Sequence, residues 1–142
     1  MPQAGPESLS SAIISGSTNP PLHTGWPQTV GQQSSSSPVF VDIDPVTLNI
    51  DTGLIRDAIT ERTRAVVAVH IAGRPADMDR LSALARQRGL ALIEDASHAH
   101  GSSIDGKKIG NFGRVAGFSM QMGKPLPSIE GGVAVFKNEL DY

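Results

Sequence analysis

The side chains best suited to chemistry lie in three short parts of the 142-residue chain. His70 interrupts an apolar run, the segment 94–101 holds two carboxylates and two histidines, and the segment 119–124 holds Ser119 and Lys124. Lysine is the most informative of these residues, because its amine can form a Schiff base with a carbonyl compound. A carboxylate, an imidazole, a hydroxyl and this amine in one crevice would suit covalent catalysis through the lysine.

Each of these side chains also has a purely structural interpretation. A lysine after a strand is often a solvated surface group, and an aspartate such as Asp95 often caps a turn. His98 and His100, with Glu94, are residue types that bind metals. Residues two positions apart diverge on a helix, however, and the sequence shows no second ligand cluster, so we expect no metal site. His70 is interpreted as structural rather than catalytic.

The elements that must position these residues alternate between strand and helix. Asp51 and Asp77 stand where helix N-caps are expected, and Gly89 stands where the second helix would stop. Short apolar, β-branched runs predict strands at 39–43, 64–71, 90–93, 116–120 and 133–136. This alternation favours parallel strands joined by crossovers, with helices packed on the sheet. We therefore predict an α/β fold.

The ends of the predicted strands bring the reactive segments together. In open α/β sheets, chemistry gathers at the carboxyl ends of the strands. His70, the segment 94–101 and the segment 119–124 each follow such an end. A predicted hairpin over 103–109 turns at Asp105-Gly106. Gly110 and Gly113 match no nucleotide-binding fingerprint and are interpreted, like Gly106, as turn residues.

Composition narrows the functional classes. The chain has 12 Lys and Arg, 14 Asp and Glu and no cysteine, with a net charge of −2. This balance gives no general attraction to nucleic acid or to anionic membranes, and the lack of cysteine excludes disulfides and thiolate chemistry. No apolar run approaches the ~18 residues of a membrane helix, and the first residues do not look like a signal peptide. We expect a cytoplasmic protein that binds neither nucleic acid nor membrane.

Residues 1–37 differ in amino-acid composition from the rest of the chain. Residues 1–38 contain six of the ten prolines and one charged residue, Glu7. Such a segment buries too little apolar surface to offset its ordering entropy, about 1–2 kcal/mol per residue. We predict a disordered Ser/Pro-rich arm over 1–37. The alternative is a docking segment that uses Trp26.

Residues 38–142 resemble the DegT/DnrJ/EryC1/StrS family of pyridoxal-phosphate-dependent aminotransferases. Five pieces match in the family's order and close to its spacing. They are PVFVDIDPVTLNID at 38–51, TRAVVAVHIAGRPADMD at 63–79, IEDASHAHGSSIDGKKIGNFG at 93–113, FSMQMGK at 118–124 and EGGVAVF at 130–136. One departure is Ile129, which stands where the family usually has glycine.

The resemblance implies roles for four residues. Lys124 corresponds to the lysine that forms the Schiff base with pyridoxal 5′-phosphate and moves the proton during amino transfer. Asp95 corresponds to the carboxylate that pairs with the pyridinium nitrogen, and Ser119 to the serine that binds the cofactor phosphate. His98 lies where most members have glutamine, next to the cofactor ring. A histidine there is similar to the aminohydroxybenzoate synthase branch.

The resemblance also implies a fold and an activity. It indicates the central part, 38–142, of an aspartate aminotransferase-like (type I) large domain, a mixed, mostly parallel sheet flanked by helices, without the N-terminal part and the small C-terminal domain. The implied reaction moves an amino group from an amino-acid donor to a keto sugar or cyclitol, in a homodimer. The alternative is a catalytically inactive remnant or an interaction fragment. A dehydratase of the same family is disfavoured by Lys124, since some dehydratases have histidine there.

Overall fold

The computed structural model describes residues 11–16 and 36–138, with side chains for 37–138. Eight strands and two α-helices make up this part of the chain. In chain order they are β1 (Ser11–Gly16), β2 (Ser36–Val41), α1 (Thr52–Ala58), β3 (Thr63–Val69), α2 (Met78–Arg88), β4 (Ala91–Asp95), β5 (Ser103–Ile104), β6 (Lys107–Lys108), β7 (Val115–Ser119) and β8 (Gly132–Phe136). A 3₁₀ turn, Ile71–Gly73, follows β3.

Six of the strands form one mixed sheet in the order β2-β1-β3-β4-β7-β8. The neighbours β3, β4 and β7 are parallel, whereas β1 and β8 are antiparallel to the strands beside them. Four of the six strands therefore run in one direction. The predicted α/β fold with a mostly parallel sheet is confirmed.

Local sequence signals place both helices and the hairpin. The side chains of Asp51 and Asp77 each accept a backbone N–H from the first turn of their helix. Gly89 ends α2 in the left-handed conformation, with φ of 64°. Asp105 and Gly106, with φ of 47° and 80°, form the tight turn between β5 and β6. These four local predictions are confirmed.

The two faces of the sheet are different. The hydrophobic core gathers on one face, which carries Val66, Ala68 and Leu92 and which we call the covered face. Side chains of both helices belong to this core, among them Ile55, Met78, Leu81 and Ala85. The alternate residues Val67, Val69 and Ile93 point to the opposite face and are partly exposed. We call this the open face.

The predicted disordered arm is wrong for part of its length. Ser11–Gly16 forms β1 and pairs on both sides, with β2 and with β3. Ile13 and Ile14, the one adjacent aliphatic pair of the arm, lie at the centre of this strand and stand opposite Val66 and Ala65. The simple alternation had suggested that β2 and β3 are parallel neighbours. They are parallel, but β1 lies between them.

Other parts of the predicted arm, including Trp26, lie outside the described residues. Within the part of the chain that the structure describes, no helix has the length and apolar character needed to cross a bilayer.

Candidate active site

The reactive segments meet at one edge of the sheet, as predicted. β3, β4 and β7 are parallel, so their carboxyl ends lie side by side. His70 follows β3, and its backbone N–H donates to the carbonyl of Asp95, the last residue of β4. Ser119 ends β7, and the connection to β8 carries Lys124. The alternation of side chains along each strand then decides which face a residue serves.

Asp95 lies on the open face. Its partner in the register of β7 is Gly117, and a Cβ built on Gly117 would meet nothing within 4 Å. On the β7 side, therefore, no side chain of the neighbouring strand lies beside the Asp95 carboxylate. Oδ1 of Asp95 accepts the N–H of Ser97 at 3.0 Å, which caps the following turn. Oδ2 has no hydrogen-bond partner among the described residues, so one carboxylate oxygen stays available for a ligand.

His98 and Lys124 are in direct contact. The Lys124 Nζ lies 2.8 Å from the His98 Nε2, and both residues are half-buried. They are 26 residues apart in sequence, so the contact depends on the fold rather than on local geometry. The structure therefore brings the predicted lysine and the predicted ring-binding histidine together, with Asp95 three residues before that histidine.

The segment that carries His98 is held by the turn after β3. Gly73 has a φ of 82°, and a Cβ on it would lie 3.0 Å from the carbonyl oxygen of His98. The Ser102 hydroxyl donates to the Gly73 carbonyl at 2.8 Å. The Ala99 N–H also donates to the Ala96 carbonyl, which closes the turn around His98. A larger residue at position 73 would push on the His98 backbone.

Lys124 lies on a loop that extends the β7–β8 pairing. The N–H of Met120 donates to Gly131, and the N–H of Met122 donates to Ile129. The Lys124 N–H then donates to the Gln121 carbonyl at 3.0 Å. These bonds turn the loop back towards the sheet edge, where the lysine amine reaches His98.

Ser119 lies on the open face with Asp95, at the end of β7. Its hydroxyl accepts the N–H of Gln121 at 3.3 Å, and the residue is half-buried. Within 37–138, no hydrogen bond joins Ser119 to Asp95, His98 or Lys124. Its place at this edge agrees with a role in binding one end of a ligand.

Glu94 has a role that the sequence analysis missed. It points to the covered face, is 1% exposed, and its carboxylate accepts four hydrogen bonds. Three come from backbone N–H groups of a glycine-containing loop, those of Gly110 (2.9 Å), Phe112 (2.8 Å) and Gly113 (2.6 Å). The fourth comes from the buried His70, at 3.3 Å. Gly110 and Gly113, which were interpreted as turn residues, therefore also bind an anion, the carboxylate of Glu94 in this chain.

The ionisation of the Glu94–His70 pair follows from its donors. His70 Nδ1 accepts the N–H of Ala76 at 3.0 Å, so the neutral ring carries its proton on Nε2 and donates it to Glu94. Burial raises the pKa of Glu94, but the hydrogen bonds from His70, Gly113, Gly110 and Phe112 outweigh it and hold the pKa below its ordinary value. The pair is thus a carboxylate with a neutral imidazole.

His100 is of a residue type that can bind metals, although no metal site was predicted, and the structure gives it a packing role. Its ring meets Phe118 edge to face, with centroids 5.4 Å apart. Both ring nitrogens are buried and, among the described residues, make no hydrogen bond. His98 and His100 therefore have different contacts: His98 lies at the Lys124 amine, and His100 packs against the Phe118 ring.

Comparison with known proteins identifies the family. The family model described as the DegT/DnrJ/EryC1/StrS aminotransferase family matches residues 28–141. The chain belongs to this family. The match begins ten residues before position 38, so the predicted boundary of the family-like region was too late.

Relatives and solved structures within the family agree with the described fold. The L-glutamine:2-deoxy-scyllo-inosose aminotransferase of Streptomyces kanamyceticus is 49% identical over 98 residues, which cover 69% of this chain and 23% of the relative. PseC of Helicobacter pylori, an aminotransferase of pseudoaminic acid biosynthesis, has a TM-score of 0.73 and 34% identity over 76% of this chain and 29% of its own. The structure of 3-amino-5-hydroxybenzoic acid synthase has a TM-score of 0.71 and 40% identity, over 76% and 28%.

The chain spans about a quarter of the length of the curated relatives that it matches, from 23% to 29%. The structural neighbours are pyridoxal-phosphate-dependent aminotransferases, so the predicted fold, part of the large domain of such an enzyme, is confirmed. The resemblance to the family, including its aminohydroxybenzoate synthase branch, is likewise confirmed.

Proposed function

We propose that this chain is the central part of the large domain of a pyridoxal-phosphate-dependent sugar or cyclitol aminotransferase, in which Lys124 holds the cofactor covalently. The observation that carries the proposal is the 2.8 Å contact between Lys124 and His98, at the sheet edge where Asp95 ends β4. In the proposed domain, residues 38–142 provide the central strands, and other parts of the large and small domains complete it.

The residues present fit this cofactor. Pyridoxal phosphate, when bound, supplies an aldehyde and an electron-withdrawing ring. The donor set offers a lysine amine, a carboxylate with a free oxygen, a serine hydroxyl and a histidine ring. On the β7 side of Asp95, Gly117 contributes no side chain, which gives a flat ring room.

Each residue then has a defined task. Asp95, through its free Oδ2, would accept a hydrogen bond from the protonated ring nitrogen and so keep that nitrogen protonated. Ser119 would donate its hydroxyl hydrogen to the phosphate, and His98 would lie against the ring. Lys124 would hold the cofactor at Nζ and afterwards carry the proton that moves during amino transfer.

The names of the relatives support a substrate class. One relative is named for glutamine as amino donor and for an inosose, a cyclitol ketone, as acceptor. A neighbouring structure, DesI, was determined with a TDP-sugar product and is 43% identical over 72% of this chain. We therefore propose a keto sugar or cyclitol as acceptor, an amino acid as donor, and a homodimer as the active assembly.

The alternative function is an inactive remnant or an interaction fragment of such an enzyme. The two functions differ in whether Lys124 captures the cofactor.

Reductive trapping separates these functions. The chain is mixed with pyridoxal phosphate, reduced with borohydride, digested and mapped by mass spectrometry. We expect the adduct on Lys124 and little on the exposed Lys107, Lys108 and Lys137. Lys124→Ala should abolish this adduct, and the matched control Lys137→Ala should retain it. Equal labelling of all four lysines, or none at Lys124, would overturn the proposal.

A further inference from the structure

We propose that His98 is the proton acceptor for Lys124, and not only a surface for the cofactor ring. The proposal rests on the proposed function in one respect, since it takes Lys124 as the reactive amine. It adds a catalytic task to His98: removal of the proton that the amine must lose when it attacks a carbonyl carbon.

The geometry meets the first requirement for a general base. Such a base lies about 2.6–3.2 Å from the atom whose proton it takes, and Lys124 Nζ is 2.8 Å from His98 Nε2. In the proposed step the neutral ring carries its proton on Nδ1, so Nε2 accepts a hydrogen bond from the lysine ammonium and its lone pair faces Nζ.

Both partners of this contact are held by their backbones. His98 lies in a turn closed by the Ala99–Ala96 hydrogen bond and packed against Gly73. Lys124 lies on a loop in which the N–H groups of Met120 and Met122 donate to carbonyls in the segment 129–131, just before β8. A base that is fixed in this way does not have to be reoriented before each reaction, which is what makes positioned acid–base groups effective.

The proton balance of the step is simple. His98 Nε2 takes one proton from the Lys124 ammonium, which frees the Nζ lone pair, and water removes that proton from the partly exposed ring. As the lone pair then forms a bond to a carbonyl carbon, the π electrons of the C=O bond move to the carbonyl oxygen, a second N–H bond breaks and its proton passes to Nε2. His98 becomes an imidazolium with protons on both nitrogens, and its partial exposure lets water take the proton away. No oxidant, metal or further reactant enters.

The other three lysines provide an internal comparison. Lys107 lies 4.2 Å from the centre of the Phe112 ring, and Lys108 donates to the Gly101 carbonyl at 2.8 Å. Lys137 is exposed. Among the described residues, none of these three amines contacts an imidazole. A general base at Lys124 should thus single out one lysine of the chain.

Trace acetylation tests the proposal without the cofactor. The full chain reacts briefly with a trace of acetic anhydride at neutral pH, and peptide mass spectrometry gives a rate for each lysine. The variants are His98→Phe, which keeps a ring, and His98→Gln, which can accept a hydrogen bond but cannot take the proton. We expect both to slow acetylation of Lys124 by at least about tenfold, a bound set below the usual general-base contribution of about 10²–10⁴-fold.

The rates of Lys107, Lys108 and Lys137 are the control in every sample. Unchanged rates at these exposed amines, with an unchanged circular dichroism spectrum, show that a variant is folded. A Lys124 rate in His98→Gln equal to that of the unaltered chain would overturn the proposal, because it would leave His98 with positioning alone. An unchanged rate in His98→Phe would overturn it as well. Since no cofactor is present, neither result depends on the trapping experiment above.

Discussion

Glu94 and Asp95 are adjacent carboxylates at the end of one strand, and the fold uses them in opposite ways. Glu94 points to the covered face, is 1% exposed, and accepts three backbone N–H groups and the His70 ring. Asp95 points to the open face, is half-buried, and accepts one backbone N–H from Ser97. Strand alternation alone separates them.

The difference shows how to tell a structural carboxylate from one that can serve a ligand. Every donor around Glu94 belongs to this chain, so its charge is already used to fix the loop 110–113. Asp95 keeps one oxygen without a partner in the described part of the chain. Asp95, on the open face, can thus accept a further hydrogen bond, whereas the Glu94 carboxylate on the covered face already accepts four.

The largest effect should come from removing the charge of the buried carboxylate. Glu94→Gln puts an amide NH₂ against backbone donors, so we expect the free energy of unfolding to fall by about 3 kcal/mol. Urea unfolding followed by circular dichroism measures it. The matched control, Asp95→Asn, should change stability by less than about 0.5 kcal/mol. Equal losses in the two variants would erase the proposed contrast.

Gly113, in the loop that binds Glu94, and Gly117, beside Asp95, offer a second contrast, in the space available to a side chain. A Cβ on Gly113 would lie 2.6 Å from the Leu92 carbonyl oxygen and 3.2 Å from Glu94 Cγ, whereas a Cβ on Gly117 meets nothing within 4 Å. We expect Gly113→Ala to cost about 2 kcal/mol in thermal or urea unfolding, because backbone must move. Gly117→Ala should be neutral within about 0.5 kcal/mol. A stable Gly113→Ala variant would mean that the loop does not approach β4 so closely.

The Glu94 cluster should also make stability depend on pH. The folded pKa of Glu94 lies below its ordinary value of 4.5. A lowered folded pKa gives a stabilisation that is present above the unfolded pKa and is lost as the pH falls through the folded pKa. Unfolding at a series of acidic pH values should therefore show the stability gap between the unaltered chain and Glu94→Gln narrowing as the pH falls from the unfolded pKa through the folded pKa. A constant gap would contradict the charged form of Glu94.

The smallest effect concerns backbone strain in the two loops. The Glu94 loop uses glycine where φ is positive, at Gly110 with φ of 96°. The Lys124 loop has a β-branched residue there, Ile129, with φ of 39°, and its side chain is 80% exposed. Ile129→Gly should raise the free energy of unfolding by about 1 kcal/mol through relief of strain. If Ile129→Gly instead lowered the free energy of unfolding, the backbone of Ile129 would not be strained in this conformation.

The sequence was enough for features that depend on local chemistry. The N-caps at Asp51 and Asp77, the stop at Gly89 and the Asp105-Gly106 turn are each specified within a few residues. The arrival of Asp95, Ser119 and the Lys124 loop at one edge also followed, because parallel strands place their carboxyl ends together.

Features that depend on long-range pairing could not be derived in this way. β1 pairs with β3 some 50 residues away, and nothing local to Ile13-Ile14 signals that partner. The four donors of Glu94 come from positions 16 to 24 residues away, so its structural role is hidden in the sequence. The glycines at 110 and 113 predicted turns, and nothing in the sequence indicated that their loop binds the Glu94 carboxylate. The roles of Lys124, Asp95, His98 and Ser119 in cofactor binding stay predictions.

The most direct measurement is the affinity of pyridoxal phosphate for the unaltered chain and for Asp95→Asn, followed by visible absorbance. If Asp95 offers its free oxygen to the cofactor, the unaltered chain should show saturable binding of pyridoxal phosphate. Asp95→Asn should raise the dissociation constant by about tenfold or more. The free energy of unfolding of Asp95→Asn should stay unchanged, unlike that of Glu94→Gln. Equal affinities for the unaltered chain and Asp95→Asn would contradict the assignment of the open face as the cofactor side.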